Sequence, residues 1–161
     1  MEVLNIQATS INPKLNTEIK NFVYKNKDKW QKNLKNVKAL TSGFKPKYKF
    51  FDKLYNFSYK YIKKYTSTKF KRSCWWVNYY SKTDFCEPHN HRPDALSSIL
   101  IVKSSTQNPL YFIDNNKKYM IEEKDGMLLF FNSLCVHGVE KCNDERITCT
   151  LDFIVNDSRK K

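Results

Sequence analysis

The sequence predicts an α+β fold in which two helices brace a jelly-roll of short strands. Three observations predict it. Apolar residues recur at helical spacing in two stretches before residue 66. From about Phe70 onward the texture changes to short apolar runs separated by turn residues. Helices first and strands second is the segregated order of an α+β domain, not the alternation of a parallel α/β sheet. A length of 161 residues fits one domain with a real core and is short for two.

Taken in order, Val3 to Ala8 reads as a short strand. Asn12-Pro13 marks a helix start, with Asn as cap and Pro at the first helical position. Leu15, Ile19, Phe22 and Val23 then form one apolar stripe, and Trp30, Leu34 and Val37 extend its spacing. Thr41-Ser42-Gly43 breaks the pattern. A second helix is expected from about Lys47 to Tyr65, with Phe51, Leu54, Tyr55, Ser58, Tyr61, Ile62 and Tyr65 as its stripe. Expected strands are Phe70–Tyr80, Leu96–Lys103, Pro109–Ile113, Tyr119–Glu122, Met127–Phe131, Val136–Glu140 and Arg146–Val155. Asp114-Asn115-Asn116 and Lys124-Asp125-Gly126 are turn chemistry. Residues 1–69 thus read as helical support, 70–155 as the strand core, and 156–161 as a fraying tail, all within a single domain.

Bulk properties narrow the function class. Hydrophobic residues make up 40% and aromatics 15%, which excludes a disordered chain. The longest apolar runs are too short to span a membrane, and the first residues lack a signal-peptide pattern. A cytoplasmic protein with no membrane partner is expected. Five cysteines without a C-x-x-C pair argue against a disulfide framework. The net charge of +13 is concentrated before residue 73. That bias allows a nucleic-acid partner, but the lysines are scattered and a solvated helical face explains them better.

The chemistry gathers around the three histidines of the chain, His89, His91 and His137. In a strand, residues i and i+2 face the same way, so His89 and His91 can point together into a barrel. His137 follows the run Met127–Phe131 and a short turn, and can approach from a neighbouring strand. Two close ligands and one distant one make a facial metal site with positions open for substrate and oxygen. Arg146, Thr148 and Thr150 alternate along the last strand and share one face. An inward Arg needs an anionic partner. Its planar fork suits a carboxylate, with a hydroxyl two residues on as a second donor. A structural salt bridge to Asp114, Asp125 or Glu145 is the competing use of Arg146.

Trp75–Tyr80, Glu87-Pro-His-Asn-His91, Asp125–Ser133, His137-Gly-Val and Glu145-Arg-Ile-Thr148 together resemble the 2-oxoglutarate and iron(II)-dependent oxygenases. The likeness is to the prolyl-hydroxylase-like branch common in phages and bacteria, and it covers roughly residues 70–155. It implies a double-stranded β-helix, cupin-like in architecture. It implies His89 and His137 as iron(II) ligands and Arg146, assisted by Thr148, as the seat of the distal carboxylate of 2-oxoglutarate. Tyr79 becomes a hydrogen-bond donor to the same cosubstrate, and Leu100 and Phe112 become pocket walls. The implied activity is a dioxygenase that uses 2-oxoglutarate and O2, usually to hydroxylate.

One position departs from the family pattern. His91 stands where a carboxylate belongs, so the reading is a three-histidine catalytic and metal site of His89, His91 and His137. Asp94 as a replacement carboxylate would need a new loop geometry. The substrate is expected to be a protein side chain or small molecule ahead of nucleic acid, because Asp152 stands where base-repair oxygenases carry a second Arg. Rival readings are a three-histidine cupin-type dioxygenase without 2-oxoglutarate, a non-catalytic metal-binding jelly-roll, and a structural zinc protein using Cys86, Cys135 and Cys142. The string His-Asn-His as an HNH nuclease is accidental, since that motif spreads its histidines further apart.

Overall fold

The computed structural model describes residues 6–32 and 34–156. In chain order the elements are β1 (Gln7–Ser10), α1 (Pro13–Asn26), a 3-10 turn (Lys27–Lys29), β2 (Gln31–Lys32), β3 (Val37–Lys38), β4 (Leu40–Thr41), α2 (Phe50–Ile62), β5 (Phe70–Tyr80), β6 (Phe85–His89), β7 (Leu96–Lys103), β8 (Leu110–Asp114), β9 (Lys117–Met120), β10 (Met127–Asn132), β11 (Val136–Val139) and β12 (Arg146–Val155). The first expected strand, Val3 to Ala8, overlaps β1 at Gln7 and Ala8; its residues Val3 to Asn5 fall outside the described residues, as does the tail from 157.

The strands form two antiparallel sheets. The major sheet runs β1-β10-β7-β12-β5-β4-β2 and the minor sheet β3-β6-β11-β8-β9. The two helices cover one face of the major sheet. Ile19 and Val23 of α1 and Phe51, Leu54 and Ile62 of α2 pack there with Val77, Leu100, Val102, Ile147, Cys149, Leu151 and Phe153. Asn12 caps α1 by accepting from the Lys14 amide at 2.8 Å. The other face of the major sheet meets the minor sheet around Tyr80, Ile99, Ile101, Leu129 and Phe131 on one side and Cys86, Leu110, Phe112 and Val139 on the other. The major sheet is therefore buried on both faces, and its strands read as continuous apolar runs.

Two expectations need correction. Trp30, Leu34 and Val37 do not continue α1. Lys35 adopts a left-handed backbone, with φ of 51°, which no helix tolerates. Trp30 packs under the helices, whereas Val37 packs between the sheets. The strand β6 is absent from the expected list, and it contains Pro88, which cannot donate to a ladder. It is accommodated where the β6–β11 register shifts between the pairs His137–His89 and Val139–Cys86. Gly138 opposite this shift is needed for close approach. A Cβ there would stand 2.5 Å from the Tyr111 hydroxyl and 3.0 Å from the Cys86 carbonyl.

Candidate metal centre

The structure brings the three histidines together. His89 ends β6, and His137 lies directly across from it on β11. His91 follows two residues beyond β6, where its backbone amide donates to the Ser133 carbonyl at 2.9 Å. A ring nitrogen of each lies within 4.8 Å of the others. Among the described residues, this is the one group of three or more such side chains close enough to hold an ion.

Each Nδ1 is tied to an oxygen that can only accept. His89 Nδ1 lies 2.8 Å from the Glu87 carbonyl, His137 Nδ1 3.1 Å from the Cys135 carbonyl, and His91 Nδ1 2.8 Å from Asp152 Oδ1. Each Nδ1 therefore carries the proton, which leaves Nε2 with a free lone pair. The Nε2 atoms of His89 and His91 are 3.1 Å apart. Bonds of about 2.1 Å meeting at right angles put ligand nitrogens roughly 3 Å apart. Two lone pairs at that distance repel unless a cation lies between them.

Two of the three rings also resist protonation. Burial pushes the His137 imidazole well below its usual 6.5, and the neighbouring His91 and His89 push it further. His89 is lowered too, chiefly by burial. The donor set therefore fits a divalent metal with nitrogen ligands and open positions.

The same shifts set an acid limit on the metal-free protein. Below about pH 6.5 the unfolded chain binds protons that the folded His137 and His89 refuse. Stability is thus full above that pH and falls as pH drops below it. The urea midpoint of metal-free protein should decline from pH 7 to pH 5, and His137→Gln should flatten the decline. An equally steep fall in that variant would mean that other groups set the acid limit.

The missing carboxylate reappears behind His91. Asp152, on β12, is 3% exposed, and its Oδ1 accepts from both His91 Nδ1 and Ser97 Oγ, the latter at 2.7 Å. Ser97 Oγ also meets Ser133 Oγ at 2.9 Å. A carboxylate on the far nitrogen fixes the ring and makes the near nitrogen a stronger donor. In the sequence Asp152 stands out only as an absent Arg. The signal available was its alternation with Arg146, Thr148 and Thr150. Asp94 takes no part, because its carboxylate bonds the Ser73 hydroxyl. Cys86 Sγ sits 3.6 Å from His89 Nδ1, the nitrogen turned away from the cluster, so a mixed sulfur–nitrogen zinc site is not assembled.

Behind the histidines, β12 and β5 turn a polar column inward. Thr150 lies across from Trp76, Thr148 across from Asn78, and Arg146 across from Tyr80. These six line one cavity with the three histidines. Phe112 also faces inward, 5.5 Å from the His137 ring. Two expected positions are corrected. Tyr79 lies on the helix face, where its hydroxyl donates to Glu145 at 2.8 Å, and Leu100 packs under the helices. Their neighbours Tyr80, Ile99 and Ile101 face inward instead. Burial and the Glu145 bond push the Tyr79 hydroxyl up to about 12, which suits a structural donor.

Arg146 is 1% exposed and already has an anionic partner. Its Nε donates to both oxygens of Glu123, at 3.0 and 2.9 Å. None of the three expected acids pairs with it. The histidine end of the cavity therefore offers a metal-binding cluster, while the Arg146 end does not offer a free cation to a distal carboxylate.

Solved structures of known proteins share this architecture. A prolyl-4-hydroxylase from Pseudomonas putida matches with a TM-score of 0.75 at 13% identity, covering 96% of this chain and 95% of that one. A viral collagen prolyl hydroxylase from Paramecium Bursaria Chlorella virus-1, in complex with 2-oxoglutarate, matches at 0.71 and 12%, covering 92% and 94%. A prolyl hydroxylase from Trichoplax adhaerens, bound to a hypoxia-inducible-factor peptide, matches at 0.78 and 13%, covering 95% and 84%. No protein-family model and no curated protein matches the sequence. At such identities the likeness speaks to architecture, and the architecture is the double-stranded β-helix that the prolyl hydroxylases carry.

Proposed function

We propose that the protein is an iron(II)-dependent oxygenase that uses a 2-oxo acid and O2 to hydroxylate a protein side chain or small molecule. The observation that carries this reading is the convergence of three Nε2 lone pairs, with every Nδ1 occupied by an acceptor. His89, His91 and His137 would hold the iron, and three nitrogen ligands leave other positions open. Asp152 supplies the negative charge that a carboxylate ligand would otherwise bring. The iron with its 2-oxo acid and oxygen supplies the oxidising power, and the protein contributes orientation and exclusion of water.

Support for the cosubstrate class comes from the fold neighbours, one of which is a 2-oxoglutarate complex. Support for a protein substrate comes from the mouth of the site. A cleft of about 350 Å³ opens beside His89 and His91. Phe44, 47% exposed, meets Trp76 edge-to-face at 5.3 Å on its wall. Such a wall suits an apolar side chain, and the Trichoplax neighbour holds a peptide. A nucleic-acid substrate is not favoured.

Anaerobic protein should bind one equivalent of iron(II), and a 2-oxo acid should then raise a visible metal-to-ligand charge-transfer band. Tight stoichiometric zinc with no iron binding would sink the reading. Iron binding without a band for any 2-oxo acid would favour a three-histidine dioxygenase that needs no oxo acid. The Glu123–Arg146 pairing is the observation on that reading's side.

A further inference from the structure

We propose that the 2-oxo acid taken by this site has an uncharged far end, making it a short monocarboxylic acid of the pyruvate class rather than a dicarboxylic one. This rests on the reading of the histidine centre as an iron and 2-oxo acid site. Glu123 occupies the side edge of the Arg146 guanidinium. Nε donates to both carboxylate oxygens, and Nη2 lies 2.8 Å from Oε1. Glu123 is not a loose surface acid that a ligand could push aside. Its side chain is fully buried. Its Oε1 also accepts from the Leu110 amide at 3.1 Å, and its own amide donates to Asn108 Oδ1 at 2.8 Å. The residue is thus anchored to the start of β8 and to the loop before it.

Together Arg146 and Glu123 are a neutral pair in a dry interior. A second carboxylate brought to Arg146 would stand beside the first with no cation of its own, and such a charge is disfavoured by burial and by its neighbour alike. What stays open in the cavity is of a different kind. Arg146 Nη2 is buried and out of line for a hydrogen bond to Glu123, and Asn78 Oδ1 is buried without a partner. With its Nε edge on Glu123, Arg146 does not offer a carboxylate the fork of two parallel donors, and Thr148 and Thr150 add only neutral hydroxyls to the lining. The cavity between the histidines and Arg146 is small, about 30 Å³. Pyruvate ends one carbon beyond its keto group, whereas 2-oxoglutarate continues to a second carboxylate.

The test is a titration of the anaerobic iron(II) protein with pyruvate and with 2-oxoglutarate, read by the charge-transfer band. Pyruvate should half-saturate at a concentration lower by on the order of ten-fold or more, since the dicarboxylate must bury an unpaired charge. Glu123→Gln keeps an acceptor for the Leu110 amide and removes the charge, so it should tighten 2-oxoglutarate by a similar factor and leave pyruvate little changed. Half-saturation by 2-oxoglutarate at an equal or lower concentration in the unaltered protein would overturn the inference and leave the oxygenase reading standing. That comparison needs no variant. A folded Glu123→Gln protein that still prefers pyruvate as strongly would overturn Glu123 as the cause. Iron binding with no band from either acid would overturn the oxo-acid reading itself, and the inference with it.

Discussion

Glu123→Ala is expected to destabilise the fold by about 3–5 kcal/mol, the usual cost of leaving one member of a buried ion pair alone. Arg146 is fully buried, and its Nε has no acceptor other than the two Glu123 oxygens. In the variant its charge has nowhere to go, because Arg does not deprotonate in proteins. The loss is a large fraction of the stability of an ordinary domain. For a chain of this length it corresponds to a fall in Tm of roughly 6–20 °C. A double replacement, Glu123→Leu with Arg146→Met, should recover most of the loss, because apolar substitutes remove the desolvation cost along with the attraction. Thermal and urea unfolding of the unaltered protein, Glu123→Leu, Arg146→Met and the double replacement closes the cycle. A single variant that loses less than the double would show that the pair stabilises little.

His137→Ala is expected to abolish stoichiometric metal binding, whereas Asp152→Ala should weaken it about ten- to hundred-fold, the usual effect of removing a carboxylate behind a ligating His. His137, on β11, stands across from His89 on β6 and supplies its own nitrogen to the cluster. Asp152 does not touch the cluster centre. It acts by holding the His91 ring through Nδ1. Asp152→Asn keeps an acceptor and loses the charge, so its affinity should fall between the two. Equilibrium dialysis against iron(II) or cobalt(II) measures all three. Unchanged affinity in Asp152→Ala, with the fold intact by circular dichroism, would remove Asp152 from the site.

Much of this molecule is legible in its sequence, and the misreadings share one cause. Phe70–Tyr80, Leu96–Lys103 and Arg146–Val155 have the bounds that their apolar runs suggest. Which side each residue faces was harder to read. Leu100 and Ile101 are both fully buried, because helices cover one face of the sheet and the minor sheet covers the other. With apolar residues on both sides, alternation loses its phase. Tyr79 and Tyr80 are indistinguishable for the same reason. On β12 the inner face is polar, so Arg146, Thr148 and Thr150 could be assigned correctly. Glu123 left no signal. It falls between the expected strand Tyr119–Glu122 and the turn Lys124-Asp125-Gly126, and only the fold of this segment over β8 brings it to Arg146.

The histidines are also distributed unequally between the two sheets. His89 and His137 are a facing pair within the minor sheet. His91 belongs to the loop beyond and is moored to the major sheet, through Ser97 on β7 and Asp152 on β12. An ion held by all three would therefore clasp the two walls of the jelly-roll at its open mouth. Occupancy would add its binding free energy to the closed form alone. The cofactor would act as a mechanical fastener as well as a reagent, and the gap between the sheets would be widest and most compliant when the fastener is undone.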